Sequence, residues 1–332
     1  MPTGDSPLVP LRLDDRPLIE GLLAASPSDL GARTFPGVYG WRDHFDYAWR
    51  WIEGYFCLFA RYGAHAYMPW PPLPGSDADP AAWRRAVAAA FAEMAGQPGG
   101  DAAAAAYRCR STRIEGVDER EAAAFEAAGY EARPHAVEYL YRRDDLVALR
   151  GNPYKSKRWA WNDFVKREVF TLDPLRSEDA EECLDVYRRW REEAKRRHPD
   201  PYAVALAEDA EAAHRRVLTD LEPLGLSGLA VRIGGAIEGY TAGGPVRPGL
   251  FGVLLEIANP ARRGLSAYLF RECCRSRTEE WITAMDDSGL PALARAKQSY
   301  RPARLVRSWL VRGRLSMPFN ARQRSSVTLD RR

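Results

Sequence analysis

Glu256 is the one carboxylate in the otherwise apolar run GLFGVLLE. Such a carboxyl loses hydration, its pKa rises, and it becomes suited to accept a proton near neutrality. The competing reading is a polar residue at the solvent end of a strand. Asp286 and Asp287, in AMDDSGLP, could orient an amine or a pair of hydroxyls; a loop Asp-Asp before Ser-Gly is equally an ordinary turn and helix cap. Lys157 and Arg158, with Asn162 one helical turn beyond Arg158, form a cationic cluster, and Arg301 and Arg304 form another. Both suit phosphate oxygens, and both are also what a solvated face looks like. The five histidines are scattered without H-E-x-x-H, and the five cysteines show no C-x-x-C spacing, so no metal site is expected.

These residues need elements to hold them. In the first half, Tyr55 to Arg61 and Ala64 to Trp70 are expected as paired strands. A helix from Asp79 places Trp83, Val87, Phe91 and Met94 on one face and ends at Gly96. A strand is expected over Ala105 to Arg110, then a helix opened by the capping pair Asp118 and Glu121, then a strand from Ala136 to Arg142. The second half repeats this order. Helices start at Ser177 and Pro201, a hairpin turns at Gly234-Gly235, and a strand covers Leu250 to Glu256. A helix from about Arg263 carries Ala267, Phe270, Cys274, Trp281 and Met285 at helical spacing. A short helix over Pro291 to Lys297 and a strand over Leu305 to Arg312 finish the unit. The boundary is placed near Asp144 to Asn152, giving domains 1–147 and 148–332, each expected to fold as its own sheet.

No apolar run reaches the roughly 18 residues a spanning helix needs. No basic-then-apolar leader opens the sequence, and the cysteine usage fits reduced thiols, so a cytoplasmic location is expected. The net charge of +3 hides an asymmetry: eleven Lys and Arg between Pro291 and Arg332 face Asp330 alone. Such an end favours a polyanion, either nucleic acid or, peripherally, anionic lipid.

An antiparallel meander, a strand ending in a Gly-containing turn, and a helix starting at that turn resemble the acetyltransferase-like (GNAT) fold. Two copies make a tandem GNAT architecture of the α/β (α+β) class, with mixed, largely antiparallel sheets and flanking helices. Three segments sharpen the resemblance: RTFPGVYGWR (33–42), EYLYRRDDLVALRGNPYKSKRWAWNDF (138–164) and AKQSYRP (296–302). In this order they resemble stand-alone relatives of the phosphatidylglycerol lysyltransferase C-terminal domain. Two positions depart from the family pattern: Trp159 stands where Asn follows Lys-Arg, and Glu256-Ile257 stands for a Glu-Lys pair. The membrane half of the lipid lysyltransferases has no counterpart in these 332 residues.

The resemblance implies aminoacyl transfer, in which an acceptor amine or hydroxyl attacks the ester joining an amino acid to the tRNA 3′ end. Charged tRNA is then a co-substrate, the acceptor is a lipid, peptide or small molecule, and no cofactor is needed. Glu256 is the expected base and Asp287 an orienting carboxylate. Lys297 would stabilise the oxyanion or leaving oxygen, and Tyr300 would relay a proton. Lys157, Arg158, Asn162, Arg301 and Arg304 would hold the tRNA. Each could instead cap a helix, fill a core edge or remain solvated. The alternative donor, acyl-CoA, needs a loop of type R/Q-x-x-G-x-G/A at a helix N-terminus. Here that loop reads ARRGLS, leaving Arg262, Arg263 and Gly264 as its candidates. A third reading is a non-catalytic scaffold for RNA or an anionic surface.

Overall fold

The apolar runs become strands that join one sheet. The computed structural model describes residues 7–63, 65–96, 112–197 and 199–313. The first half contributes β1 (Val9–Pro10), β2 (Asp46–Ile52), β3 (Tyr55–Tyr62), β4 (His65–Met68), β5 (Leu73–Pro74), β6 (Arg113–Val117) and β7 (Glu131–Arg142). The second contributes β8 (Phe170–Pro174), β9 (Ser227–Ile233), β10 (Ala236–Arg247), β11 (Leu250–Ala258), β12 (Trp281–Thr283) and β13 (Arg304–Arg312). Helices α1 (Arg16–Ala25), α2 (Phe35–Tyr39), α3 (Trp83–Ala95), α4 (Glu119–Ala127) and α5 (Arg143–Ala148) belong to the first half. To the second belong α6 (Lys155–Arg167), α7 (Ala180–Arg197), α8 (Pro201–Thr219), α9 (Leu265–Arg275) and α10 (Pro291–Gln298).

The halves repeat one another in order. Strands β1 to β4 form an antiparallel meander, and after α3 the chain returns as β6, parallel to β4. Strands β8 to β11 form the second meander, and after α9 the chain returns as β12, parallel to β11. The expectation of two separate sheets is overturned. Across the described residues the order is β1-β2-β3-β4-β6-β13-β7-β12-β11-β10-β9-β8, with β5 on β3. The last strands of the halves are exchanged: β13 lies against β6 of the first half, β7 lies against β12 of the second, and β7 and β13 pair antiparallel at the centre. A strand's alternation fixes which face it buries but not which edge it joins, so its partner was not readable from its sequence.

Local signals held where capping chemistry is explicit. Asp118 accepts from the Arg120 and Glu121 amides at 2.9 Å while Glu121 accepts from the Asp118 amide at 2.8 Å, and α4 starts there. Asp200 caps α8 through the Ala203 amide at 2.9 Å. The helical spacing expected to run on to Met285 breaks: α9 ends at Arg275, Trp281 opens β12, and Met285 sits in the following loop. A three-residue strand is too short to show its own period, and Trp281 fell on the helical one by chance. The expected strand at 105–110 lies outside the described residues.

The halves share a core. Trp51, Phe56 and Trp70 of the first pack into the same cluster as Tyr187, Tyr240, Leu255 and Ile257 of the second. On the opposite face of the sheet, Tyr139 and Tyr141 of β7 pack with Phe251 and Val253 of β11, Ile282 of β12, and Phe270, Cys273 and Cys274 of α9.

Candidate active site

The site begins where two parallel strands part. The β11–β12 ladder covers Leu250 to Gly252 against Trp281 to Thr283 and then stops, while β11 continues to Ala258. Beyond that point β11 and the loop after β12 no longer pair, and the stretch between them is the candidate cleft. A β-bulge aims Glu256 toward it. Val253 pairs with Gly243 and Leu255 with Ala242, so Leu254 is the extra residue. Phe251 and Val253 therefore face α9, Leu255 and Ile257 face the other way, and Glu256 returns to the α9 side. There its Oε1 accepts from Ser266 Oγ of α9 at 2.8 Å. Glu256 is interior to the strand rather than at its solvent end.

Burial raises the Glu256 carboxyl to about 7, against the pull of the Ser266 hydroxyl and the charges of Lys157 and Lys297. Burial lowers both lysines in turn. Glu256 partly restores Lys157, and Asp286, Glu138, Asp287 and Glu256 partly restore Lys297. Lys157 Nζ lies 3.8 Å from the centre of the Tyr300 ring. That ring packs edge-on against Phe270 at 4.7 Å and Tyr141 at 6.5 Å, and burial pushes its hydroxyl well above the ordinary tyrosine range. Lys297 Nζ donates to the carbonyls of Ala284 (2.5 Å) and Asp286, tying the loop after β12 to α10.

The two loop aspartates divide. Asp286 Oδ1 accepts from the Ser288 amide at 2.8 Å, as a turn-former does. Asp287 accepts from the Gly289 amide at 3.0 Å and also from Tyr139 Oη at 2.5 Å, which fixes its carboxylate at the cleft. Sequence reasoning missed Glu138. It is 2% exposed on the other face of β7 and accepts from the amides of Gly31 (2.7 Å) and Ala32 (3.1 Å) and from Thr283 Oγ1 (3.2 Å). Burial raises it to about 7, its amide partners oppose that, and the Asp286 charge adds to it. A lone carboxylate in the apolar run AVEYLY was the same signal that singled out Glu256.

The expected tRNA cluster does not stay together. Lys157 points into the cleft, whereas Arg158 donates to the carbonyls of Leu149 and Gly151 (2.6 Å for the latter) and clamps the end of α5. Asn162 is exposed on α6. Arg301 is exposed in a left-handed turn, with φ of 55°. Arg304 pairs with Asp29 at 2.6 Å, and Asp29 also holds Arg247. Arg247 lines a cavity of about 420 Å³ on the far face of the sheet, with Arg16, Arg33, Leu254 and Met285 also in its wall.

The loop expected for a coenzyme A pyrophosphate lies where α6 packs on the start of α9. Gly264 has φ of 86°, and a Cβ there would lie 2.2 Å from the Ala160 carbonyl oxygen, so α6 sits directly against the start of α9. Arg262 pairs with Glu238 at 3.4 Å and Glu168 at 3.5 Å. The Arg263 guanidinium covers the Trp159 ring at 4.3 Å, and the Arg263 carbonyl accepts from Arg167 at 2.8 Å. No helix among the described residues is long and apolar enough to cross a membrane.

A profile of the phosphatidylglycerol lysyltransferase C-terminal domain matches residues 27–312. The chain belongs to this family. It is thereby a transferase related to lysyl-phosphatidylglycerol synthases. Among solved structures it is similar to a conserved protein of unknown function from Bacteroides thetaiotaomicron. Identity there is 23%, with 92% of this chain and 98% of that one covered at a TM-score of 0.76. It is also similar to L-PGS from Bacillus licheniformis, at 12% identity, covering 89% and 90%, with a TM-score of 0.57. At such identities the likeness is one of fold. No curated protein matches the sequence. The segment from Lys297 to Pro302 brings Lys297 and Tyr300 to the cleft from the end of α10.

Proposed function

We propose that the cleft transfers an aminoacyl group from charged tRNA to an amine or hydroxyl acceptor. The observation that carries this reading is the grouping of Glu256, raised to about 7, with Lys157, Lys297 and Tyr300 at the parting of β11 and β12. The acceptor's proton passes to the Glu256 carboxylate as its nitrogen or oxygen attacks the ester carbonyl. Negative charge then develops on the carbonyl oxygen, where a lysine ammonium stabilises it; two of the three Lys297 donors already hold backbone carbonyls. As the ester bond breaks, the leaving 3′ oxygen takes a proton from Lys157, whose lowered pKa eases its release. Asp287, held by Tyr139, receives the amino group of the transferred residue. Arg301, exposed just beyond Tyr300, meets acceptor-stem phosphates.

The loop at the start of α9 has Ala261 and Ser266 where an acyl-CoA loop carries Arg or Gln and Gly or Ala, and this favours charged tRNA as the donor. The test incubates purified protein with transfer RNA charged with labelled amino acids, and separately with labelled acetyl-CoA, over an extract of metabolites and lipids. Label should leave the tRNA ester and appear on an acceptor. Label leaving only the coenzyme A pool would reverse the assignment.

A further inference from the structure

The loop after β12 is held in a shape its residues do not favour. Met285 has φ of 60° and Ser288 φ of 50°, left-handed conformations that side chains seldom adopt and that persist only where the surroundings enforce them. Part of that enforcement comes from the cleft: Lys297 Nζ holds the Ala284 and Asp286 carbonyls, and Tyr139 Oη holds Asp287. The rest comes from behind. Thr283 Oγ1 accepts from the Met285 amide at 3.2 Å and donates to Glu138 Oε2 at 3.2 Å. Glu138 is anchored in turn by the Gly31 and Ala32 amides at 2.7 and 3.1 Å. A line of hydrogen bonds thus runs from the segment before α2, through β7 and β12, into the loop that carries Asp287.

The packing along this line is tight. Glu138 and Thr283 are both buried, and a Cβ on Gly31 would lie 2.8 Å from Met285 Sδ, 2.8 Å from Thr283 Cγ2 and 3.0 Å from Glu138 Oε2. A carboxylate is a poor choice for packing alone, since an apolar side chain of similar size would fill the space without losing hydration. What the carboxylate adds is acceptance from three donors at once.

We propose that Glu138 and Thr283 are positioning residues: from the side of the sheet away from the cleft they set the loop after β12, and so aim Asp287 at the amino group of the transferred residue. Neither touches a substrate. The aim at the amino group rests on the aminoacyl-transfer reading above, whereas the hold on the loop is measurable without any reaction. Through Glu138, two backbone amides of the first half act on a loop of the second.

Two substitutions at Thr283 separate this role from packing. Thr283→Val keeps the shape and removes the hydroxyl, which breaks the line; Thr283→Ser keeps the hydroxyl and removes the methyl beside Gly31. Hydrogen exchange of residues 284–290, read by mass spectrometry at pH 8, should be about tenfold faster or more in Thr283→Val and in Glu138→Gln, and near the parental rate in Thr283→Ser. Transfer from charged tRNA should follow the same order, with kcat/KM about tenfold lower or more in the first two variants and largely recovered in the serine variant. Should Glu138→Gln fail to fold, the two Thr283 variants carry the comparison. The reverse order, with serine more damaging than valine, assigns the site to packing and overturns the proposal. So does unchanged exchange in the valine variant, or a loosened loop with kcat/KM intact. If the parent releases no label from any charged tRNA, the aminoacyl-transfer reading fails, and exchange alone then decides whether Glu138 and Thr283 hold the loop.

Discussion

At the scale of single residues, the cleft turns burial into reactivity. Glu256 with a pKa of about 7 is mostly a carboxylate only above neutrality, so kcat/KM should rise through pH 7 if it is the base. Glu256→Gln keeps the shape and removes the base. It should abolish that rise, with the smallest loss of rate at high pH, where an acceptor amine deprotonates unaided; a retained limb would exclude Glu256. Lys297→Ala should lower kcat about 100-fold with KM nearly unchanged if its ammonium stabilises charge that appears only in the transition state. Its bonds to the Ala284 and Asp286 carbonyls define the contrary outcome, a raised KM and a lowered melting temperature with kcat preserved. Lys157→Met tests the role that geometry, not sequence, suggests. A kcat loss of similar size is expected, whereas a phosphate-holding lysine would instead reduce the salt slope of tRNA binding by about one unit.

At the scale of elements, α6 and the start of α9 are a single device. Gly264 allows the two to touch because any side chain there meets the Ala160 carbonyl and must also adopt a left-handed backbone. Gly264→Ala should therefore destabilise the protein by roughly 2 to 4 kcal/mol, read from urea unfolding. It should also slow turnover, because α6 carries Lys157. A substitution that left both stability and turnover intact would separate the helix from the site. The β11 bulge works the same way on a smaller scale: were Leu254 in regular alternation instead of bulged, Glu256 would face the shared core of Trp51 and Tyr187 instead of the cleft.

At the scale of the whole molecule, the exchange of β7 and β13 makes each half depend on the other. Residues 1–147 expressed alone lack the strand that lies between β6 and β7, and they expose core residues such as Phe56 and Trp70 that pack against the second half. They should aggregate or remain unfolded by circular dichroism, and co-expression with 148–332 should recover a soluble complex. Three buried groups set pH slopes of opposite sign on the stability of that whole. Glu138 has a folded pKa near 7, above the ordinary 4.5, so its contribution is complete below pH 4.5 and is lost as pH rises through 7. Glu256 adds a slope of the same sign. His214, buried against Tyr240 Oη at 2.9 Å, is lowered to about 3, so stability falls as pH drops below 6.5 toward 3. Glu138→Gln should flatten the loss between pH 5 and 7 in urea titrations, an effect a neutral structural residue would not show.

Sequence alone determined the repeated order of strands and helices, the capping pair Asp118 and Glu121, and the candidacy of Glu256, because capping, periodicity and a lone carboxylate in an apolar run are local properties; Lys297 and Tyr300 became candidates through the resemblance of AKQSYRP to a family segment. The same local signal marked Glu138 and was passed over, since nothing in its neighbourhood along the chain announces Gly31 or Thr283. Tertiary structure alone decided the rest. It chose the edge that each final strand joins, because backbone pairing carries no address. It sent Lys157 inward and gave Arg158 to the Leu149 and Gly151 carbonyls, because neighbours in sequence point about 100° apart on a helix and only packing selects which of them meets the cleft.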